Sequence, residues 1–376
     1  MTNTLLNTWD APYGVPQFSM INDNDFEEAF MQAMANAETN FIKITNNLEL
    51  PTFKNTIEEM ERSDRELDQV SSIFFNLVGT DSNPKRNSIQ TKISPMLAAF
   101  NSKILTNNKL WERVSSIYEH RLNSGLSMEQ IRVSELYYEM FKRAGAVLSE
   151  TKKKRYTAIM QNLAELGTRF SQNLLSDESS WSLSLDESEL EGLPEFVINS
   201  MSQAALDREL KGYALTLSRS ILEPFLQFSS NQKLRKVAYL AWSKRGMNGG
   251  ETDNINIAKR TLSLRSERAS ILGYNSFADF KLENQMAKNP KRVRDLLMAV
   301  WEPAKRKASV DSENLQKLMV KDGGTQALQA WDWRYYAEKY KQTEYSLDET
   351  EIKPYFQLDK MIEASFYCAN KLFDLD

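Results

Sequence analysis

The chain has 376 residues, 41% hydrophobic and 26% charged, with a formal charge of -4. That length builds a large core and more than one lobe, and so small a net charge argues against nucleic acid as the main partner. The single cysteine, Cys368, excludes an intramolecular disulfide framework, and no apolar run approaches the roughly 20 residues of a membrane span.

Met1–Asp10 lacks a basic stretch followed by an apolar one, so no secretory signal is expected and the cytoplasm is the expected location. Only 13 Gly and 10 Pro punctuate the chain, which favours long helices. Residues 8–21 read as an irregular leader pinned to the body by its aromatic residues. Phe26, Phe30, Ala33, Ala37, Phe41 and Ile44 then recur at steps of three or four, the stripe of an amphipathic helix capped from Asn22–Asp25. Pro51-Thr52-Phe53-Lys54-Asn55-Thr56 stops the chain and starts a second helix, with Ile57, Met60, Leu67, Val70, Phe74 and Leu77 on one face and Gly79 at its end. The two are expected to pair antiparallel.

Three or four more helices are read between Ser88 and Ser176. Trp181-Ser182-Leu183-Ser184-Leu185 alternates apolar and polar residues, a strand signal, and Tyr213-Ala214-Leu215-Thr216-Leu217 is its candidate partner. A short helix, Leu193 to Leu206, lies between them, and Pro224 is read as closing this insert. Further helices are expected at Asn231–Arg245, at Asp253–Leu272 with Ile255, Ala258, Leu262, Ala269 and Leu272 on one face, and at Met286–Lys317, interrupted or kinked near Pro303. The fold class is therefore mainly α, about 60–70% helix against the roughly one-third usual in globular proteins.

Near the end, Trp331-Asp332-Trp333-Arg334-Tyr335-Tyr336 sets two Trp and two Tyr around one Asp and one Arg. Such a cluster buries a large area while keeping polar tips. Core packing and a binding wall presenting Asp332, Tyr335 and Tyr336 are both open readings. Lys353-Pro354-Tyr355-Phe356-Gln357-Leu358 breaks the chain, and Leu358–Phe373 reads as a last helix.

Several islands, in order along the chain, resemble the thimet-oligopeptidase-like zinc peptidases, the family of oligopeptidase A and peptidyl-dipeptidase. They are Pro12-Tyr13-Gly14-Val15-Pro16, the 51–56 segment, Trp181–Leu185 with Gly192-Leu193-Pro194, Asp253-Asn254, Leu264-Arg265 through Phe277-Ala278-Asp279, Met286-Ala287, and the segments at 331–336 and 353–358. Trp301-Glu302-Pro303-Ala304 and the 353–358 segment fit the peptidyl-dipeptidase branch. The resemblance implies a two-lobed helical fold around a deep channel, with a small β insert near 181–217. It implies an N-terminal helical domain at 1–228 and the opening of a peptidase domain at 229–376. It also implies cleavage of short peptides by zinc held on a His-Glu-x-x-His helix. Asp332, Tyr335 and Tyr336 become candidates for the channel wall.

His120 is the only histidine, so that zinc motif cannot occur within these residues. No catalytic or metal-binding residue is assigned, and this chain alone is expected to be inactive. Its natural partner would be a complementary C-terminal catalytic half, and residues around 331–376, with parts of 253–272, would expose an apolar patch to receive it. The alternative is a non-catalytic helical interaction module. His120 is otherwise read as a residue at a helix end, Cys368 as a core residue of the last helix, and Lys152-Lys153-Lys154-Arg155 as a solvated helix face.

Overall fold

In a computed structural model, residues 3–7, 9, 11, 14–345 and 349–375 are described. Pro12 and Tyr13 of the leader, and Asp376, lie outside them. The chain is 72% helical with one small sheet, so the mainly-α expectation holds. In chain order come α1 (Asp25–Thr45), α2 (Glu59–Ser63), α3 (Arg65–Thr80), α4 (Pro84–Leu105), α5 (Asn108–His120), α6 (Met128–Arg143) and α7 (Glu150–Ser180). Next are β1 (Ser182–Leu185), α8 (Glu195–Leu206), β2 (Tyr213–Thr216), α9 (Arg219–Phe228) and α10 (Gln232–Ser243). The last are α11 (Ile255–Ile271), α12 (Phe277–Leu282), α13 (Pro290–Lys321), α14 (Trp333–Tyr345), α15 (Glu349–Ile352) and α16 (Leu358–Phe373). No helix is long and apolar enough to cross a membrane among the described residues. Two compact units result: residues 1–173 with 253–292, and residues 174–252 with 293–376.

In the first unit α1 and α3 pair antiparallel. Phe26 and Phe30 at the start of α1 meet Phe74 late in α3, with ring centroids 5.0 and 5.3 Å apart, while Asn36 bonds Glu66 at 2.7 Å. Leu5 is fully buried in the same core, and Trp9 packs on it half-buried. The single second helix read from the sequence is broken. A π-helical turn (Phe53–Glu58) opens it, and Asp64, at φ -120°, separates α2 from α3. Gly79 lies inside α3, which ends at Thr80 without needing a left-handed residue.

The 51–56 segment owes its shape to a buried cation. Thr52 and Asn55 form a capping box, each side chain accepting from the other's backbone N–H. Arg113 from α5 then donates to Thr56 Oγ1 (3.1 Å), Asn55 Oδ1 (2.9 Å) and the carbonyls of Asn47 (3.0 Å) and Glu49 (3.2 Å).

Two further expectations in this unit are corrected. Lys153 is buried, with its ammonium on Asn108 Oδ1 and 3.5 Å from Glu150, and Arg155 clamps Glu267 with two bonds at 2.5 and 2.7 Å. The basic run is thus partly packed. On α11 the buried residues are Ile257, Leu264 and Ala269, whereas Ile255 and Leu262 are exposed. The helix is rotated from the expected face because Ile257 and Leu264, seven apart, share a stripe too.

In the second unit β1 and β2 pair antiparallel, Ser182 opposite Thr216 and Leu185 opposite Tyr213, where alternation placed them. α8 packs on this sheet through Val197, Met201, Ala204 and Ala205. Pro224 does not close the insert; it lies inside α9. It has no N–H for the Ser220 carbonyl, but Ile221, Leu222, Phe225 and Leu226 are buried on both sides of it and hold the helix to the core. α13 likewise runs through Pro303 without interruption. α16 matches its expected bounds, yet none of its described residues is buried, and Cys368 is exposed rather than core. An apolar face packs only where an element lies against it.

Candidate functional site

The 331–336 cluster folds around a buried ion pair. Trp331 and Asp332 occupy the turn into α14, and Asp332 is fully buried. Its Oδ1 accepts from Arg235 Nη2 at 2.7 Å, the two side chains being 0% and 2% exposed. Its Oδ2 accepts from Gln232 Nε2 (2.9 Å) and the Gln329 amide (3.2 Å), and its carbonyl accepts the Tyr336 amide (3.0 Å). Asp332 therefore starts α14 and ties it to α10. The Arg235 guanidinium also donates to the carbonyls of Ser229 (2.7 Å) and Ser230 (3.1 Å), while its Nε–H is buried without a partner. Its Cζ sits 4.1 Å from the centroid of the Tyr335 ring.

The aromatic residues divide into anchors and a partly open face. Tyr336 is buried with Leu315 and Met319, while Tyr335 is half-buried edge-on to it at 5.1 Å. Burial, and then the Asp322 charge, pushes the Tyr336 phenol above its ordinary range. Lys339 lies 4.9 Å from the Tyr335 ring and pairs with Asp322. Burial alone would lower its pKa, but bonds to Asp322 and Tyr335 outweigh that and raise it. Trp331 is half-buried, with Tyr239 edge-on at 6.4 Å and the Lys236 ammonium 5.0 Å from its ring. Trp333 is partly exposed. Glu338, one turn on, is buried and accepts from Gln227 (2.7 Å) and Gln342 (3.3 Å).

Such an arrangement holds aromatic faces rigidly and can stack on or line a bound chain. It presents no nucleophile beside a base. His120 is exposed at the end of α5, its Nδ1 2.8 Å from the Ser116 carbonyl. Among the described residues no three His, Cys, Asp or Glu side chains converge to hold a metal ion. The residues present thus do not make up a zinc site.

Of the three residues singled out from the sequence, Asp332 and Tyr336 are buried and Tyr335 is half-buried beside them. The partner that fixes them, Arg235, was not foreseen. A signal did exist: Arg235 and Ala238 share the buried stripe of α10, and an arginine on a core face demands a carboxylate.

The chain aligns over 100% of its length with the dipeptidyl carboxypeptidase of Salmonella typhimurium at 29% identity, and with oligopeptidase A of Escherichia coli at 28%. It aligns over 99% of its length with the dipeptidyl carboxypeptidase of Escherichia coli, again at 29%. The model of peptidase family M3 matches residues 225–376. Residues 225–376 thus carry the pattern of peptidase family M3, and the whole chain is similar to its members. The chain spans 55% of the length of each of these relatives. Arg235 and the 331–336 cluster both fall within the residues matched to the M3 model.

Proposed function

We propose that this chain is the N-terminal portion of a zinc oligopeptidase of the peptidyl-dipeptidase type, shaping a channel for short peptides. The observation that carries this reading is the alignment along the whole chain with proteins named dipeptidyl carboxypeptidase and oligopeptidase A. On this reading residues 1–228 form a helical domain and residues 229–376 open the peptidase domain, which agrees with a family match beginning at 225. Residues 331–336 serve as channel wall: Asp332 and Tyr336 anchor it, and half-exposed Tyr335 meets peptide. The cytoplasm is its place of action, in keeping with a plant relative named a probable cytosolic oligopeptidase A.

With one histidine, the chain cannot hold a His-Glu-x-x-His zinc helix, so these residues alone are inactive. The remaining chemistry comes from a complementary C-terminal half that packs on the apolar side chains exposed on α16, among them Met361, Phe366, Leu372 and Phe373. The test begins with the DNA beyond codon 376. A frame encoding His-Glu-x-x-His is expressed as a separate chain and mixed with this one, and cleavage of a quenched short peptide is followed with and without chelator. Chelator-sensitive cleavage by the mixture and none by either part is expected. Zinc-dependent cleavage by residues 1–376 alone, or no co-elution of the two parts, overturns the reading.

A further inference from the structure

The first unit contains a cavity of about 640 Å³, within the size range of small-molecule sites, between α4, α6, α7, α11 and α12. One wall is apolar. Phe75, Leu136 and Met140 line it and remain 38%, 47% and 41% exposed, and Leu97 and Met160 extend it. The other wall is cationic. The guanidinium carbons of Arg143 and Arg268 lie 4.4 and 4.8 Å from the centroid of one ring, Phe280. Arg143 is neutralised by Glu283 and donates to the Phe280 carbonyl at 2.6 Å. Arg268 has no carboxylate partner among the described residues. Its one side-chain bond runs from Nη2 to the phenol oxygen of Tyr156 at 3.0 Å, and its Nε–H is buried with no acceptor.

Tyr156 is itself buried. Its oxygen accepts from Arg268, which leaves its O–H free to donate. The cavity thus brings together an uncompensated cation and two spare donors, Arg268 Nε–H and Tyr156 O–H, beside an open apolar wall. A partly buried guanidinium without an anion, one of its N–H groups fully buried, is costly, and a carboxylate would satisfy both its charge and its donors. Glu139 is the one acidic side chain lining the cavity, against Arg143, Arg268 and Lys281.

We propose that this cavity binds a small carboxylate with an apolar body, the carboxylate on Arg268 and Tyr156 and the body against Leu97, Met140 and Met160. The site is independent of the peptidase reading, and its test does not use peptidase activity.

Octanoate and N-acetylphenylalanine are titrated calorimetrically into the full chain, alongside octanamide and N-acetylphenylalanine amide. Saturable binding of at least one acid is expected, its neutral amide about tenfold weaker or more. The body of the tighter acid then separates a lipid-derived from an amino-acid-derived ligand. Arg268→Gln should cost at least about tenfold in affinity and Arg268→Lys less. Met160→Trp, which fills the apolar end and keeps the arginine, should abolish binding even if Arg268→Gln fails to fold. Equal affinity for acid and amide, binding unchanged in Met160→Trp, or no saturable binding up to about 10 mM overturns the proposal.

Discussion

Replacing Asp332 by alanine tests the anchor of the aromatic cluster. Arg235 would then be a cation 2% exposed, with no counter-charge. It would keep the Ser229 and Ser230 carbonyls on Nη1, but Nη2 would join Nε as a buried N–H without an acceptor. Each unsatisfied buried donor costs about 1–3 kcal/mol, and breaking a buried ion pair by removing one partner costs about 3–5 kcal/mol. The expected loss for Asp332→Ala is therefore about 3–5 kcal/mol, roughly a hundred- to several-thousand-fold in the folding equilibrium of the second unit. Arg235→Met should cost a similar amount, since it leaves the carboxylate buried with only Gln232 and Gln329 as donors. The double variant should cost at least about 2 kcal/mol less than the sum of the two. Urea unfolding followed by tryptophan fluorescence is suited to this measurement, because Trp331 and Trp333 flank Asp332. Additive losses, or a loss below about 1 kcal/mol for Asp332→Ala, would refute the view that this pair holds the cluster.

Arg113→Ala removes four bonds to the 47–56 segment and should destabilise the first unit by about 3 kcal/mol or more; hydrogen exchange across residues 47–56 should accelerate, and unchanged protection there would count against it. Asp177 accepts from Thr252, from the Gly246 amide at 2.6 Å and from Asn248 at 2.8 Å. Burial raises its pKa, but these three donors together pull it below its ordinary 3.8. A depressed carboxylate stabilises above its unfolded pKa and loses that contribution as pH falls through the folded one. The 246–252 loop should therefore stay docked down to pH 3.8 and be released only below it; limited acid proteolysis reads this, and release already at pH 5 contradicts it. Burial, then the Glu61 carboxylate, pushes the Tyr137 phenol well above its usual range. Ultraviolet titration should leave Tyr137, with Tyr274 and Tyr336, protonated past the point where exposed phenols have ionised, and Tyr137→Phe should shrink that late step by one phenol.

The sequence by itself determined the elements. Apolar residues at steps of three and four forecast α1, and strict alternation forecast β1 and β2, because these periods place side chains on one face whatever lies opposite. One histidine settled that no His-Glu-x-x-His motif lies in these residues, a matter of composition alone. What faces what was decided by tertiary structure. Two stripes on α11 were compatible with its pattern, and packing selected Ile257 and Leu264. Pro224 was read as closing the insert by local propensity, but the buried residues on both sides of it in α9 outweigh that preference. Cys368 was read as core, yet it is exposed on α16, none of whose described residues is buried. The cluster at 331–336 was visible in the sequence as a concentration of aromatic residues. Its organising partner, Arg235, stands nearly a hundred residues away, and only folding brings a buried cation to a buried anion across that separation.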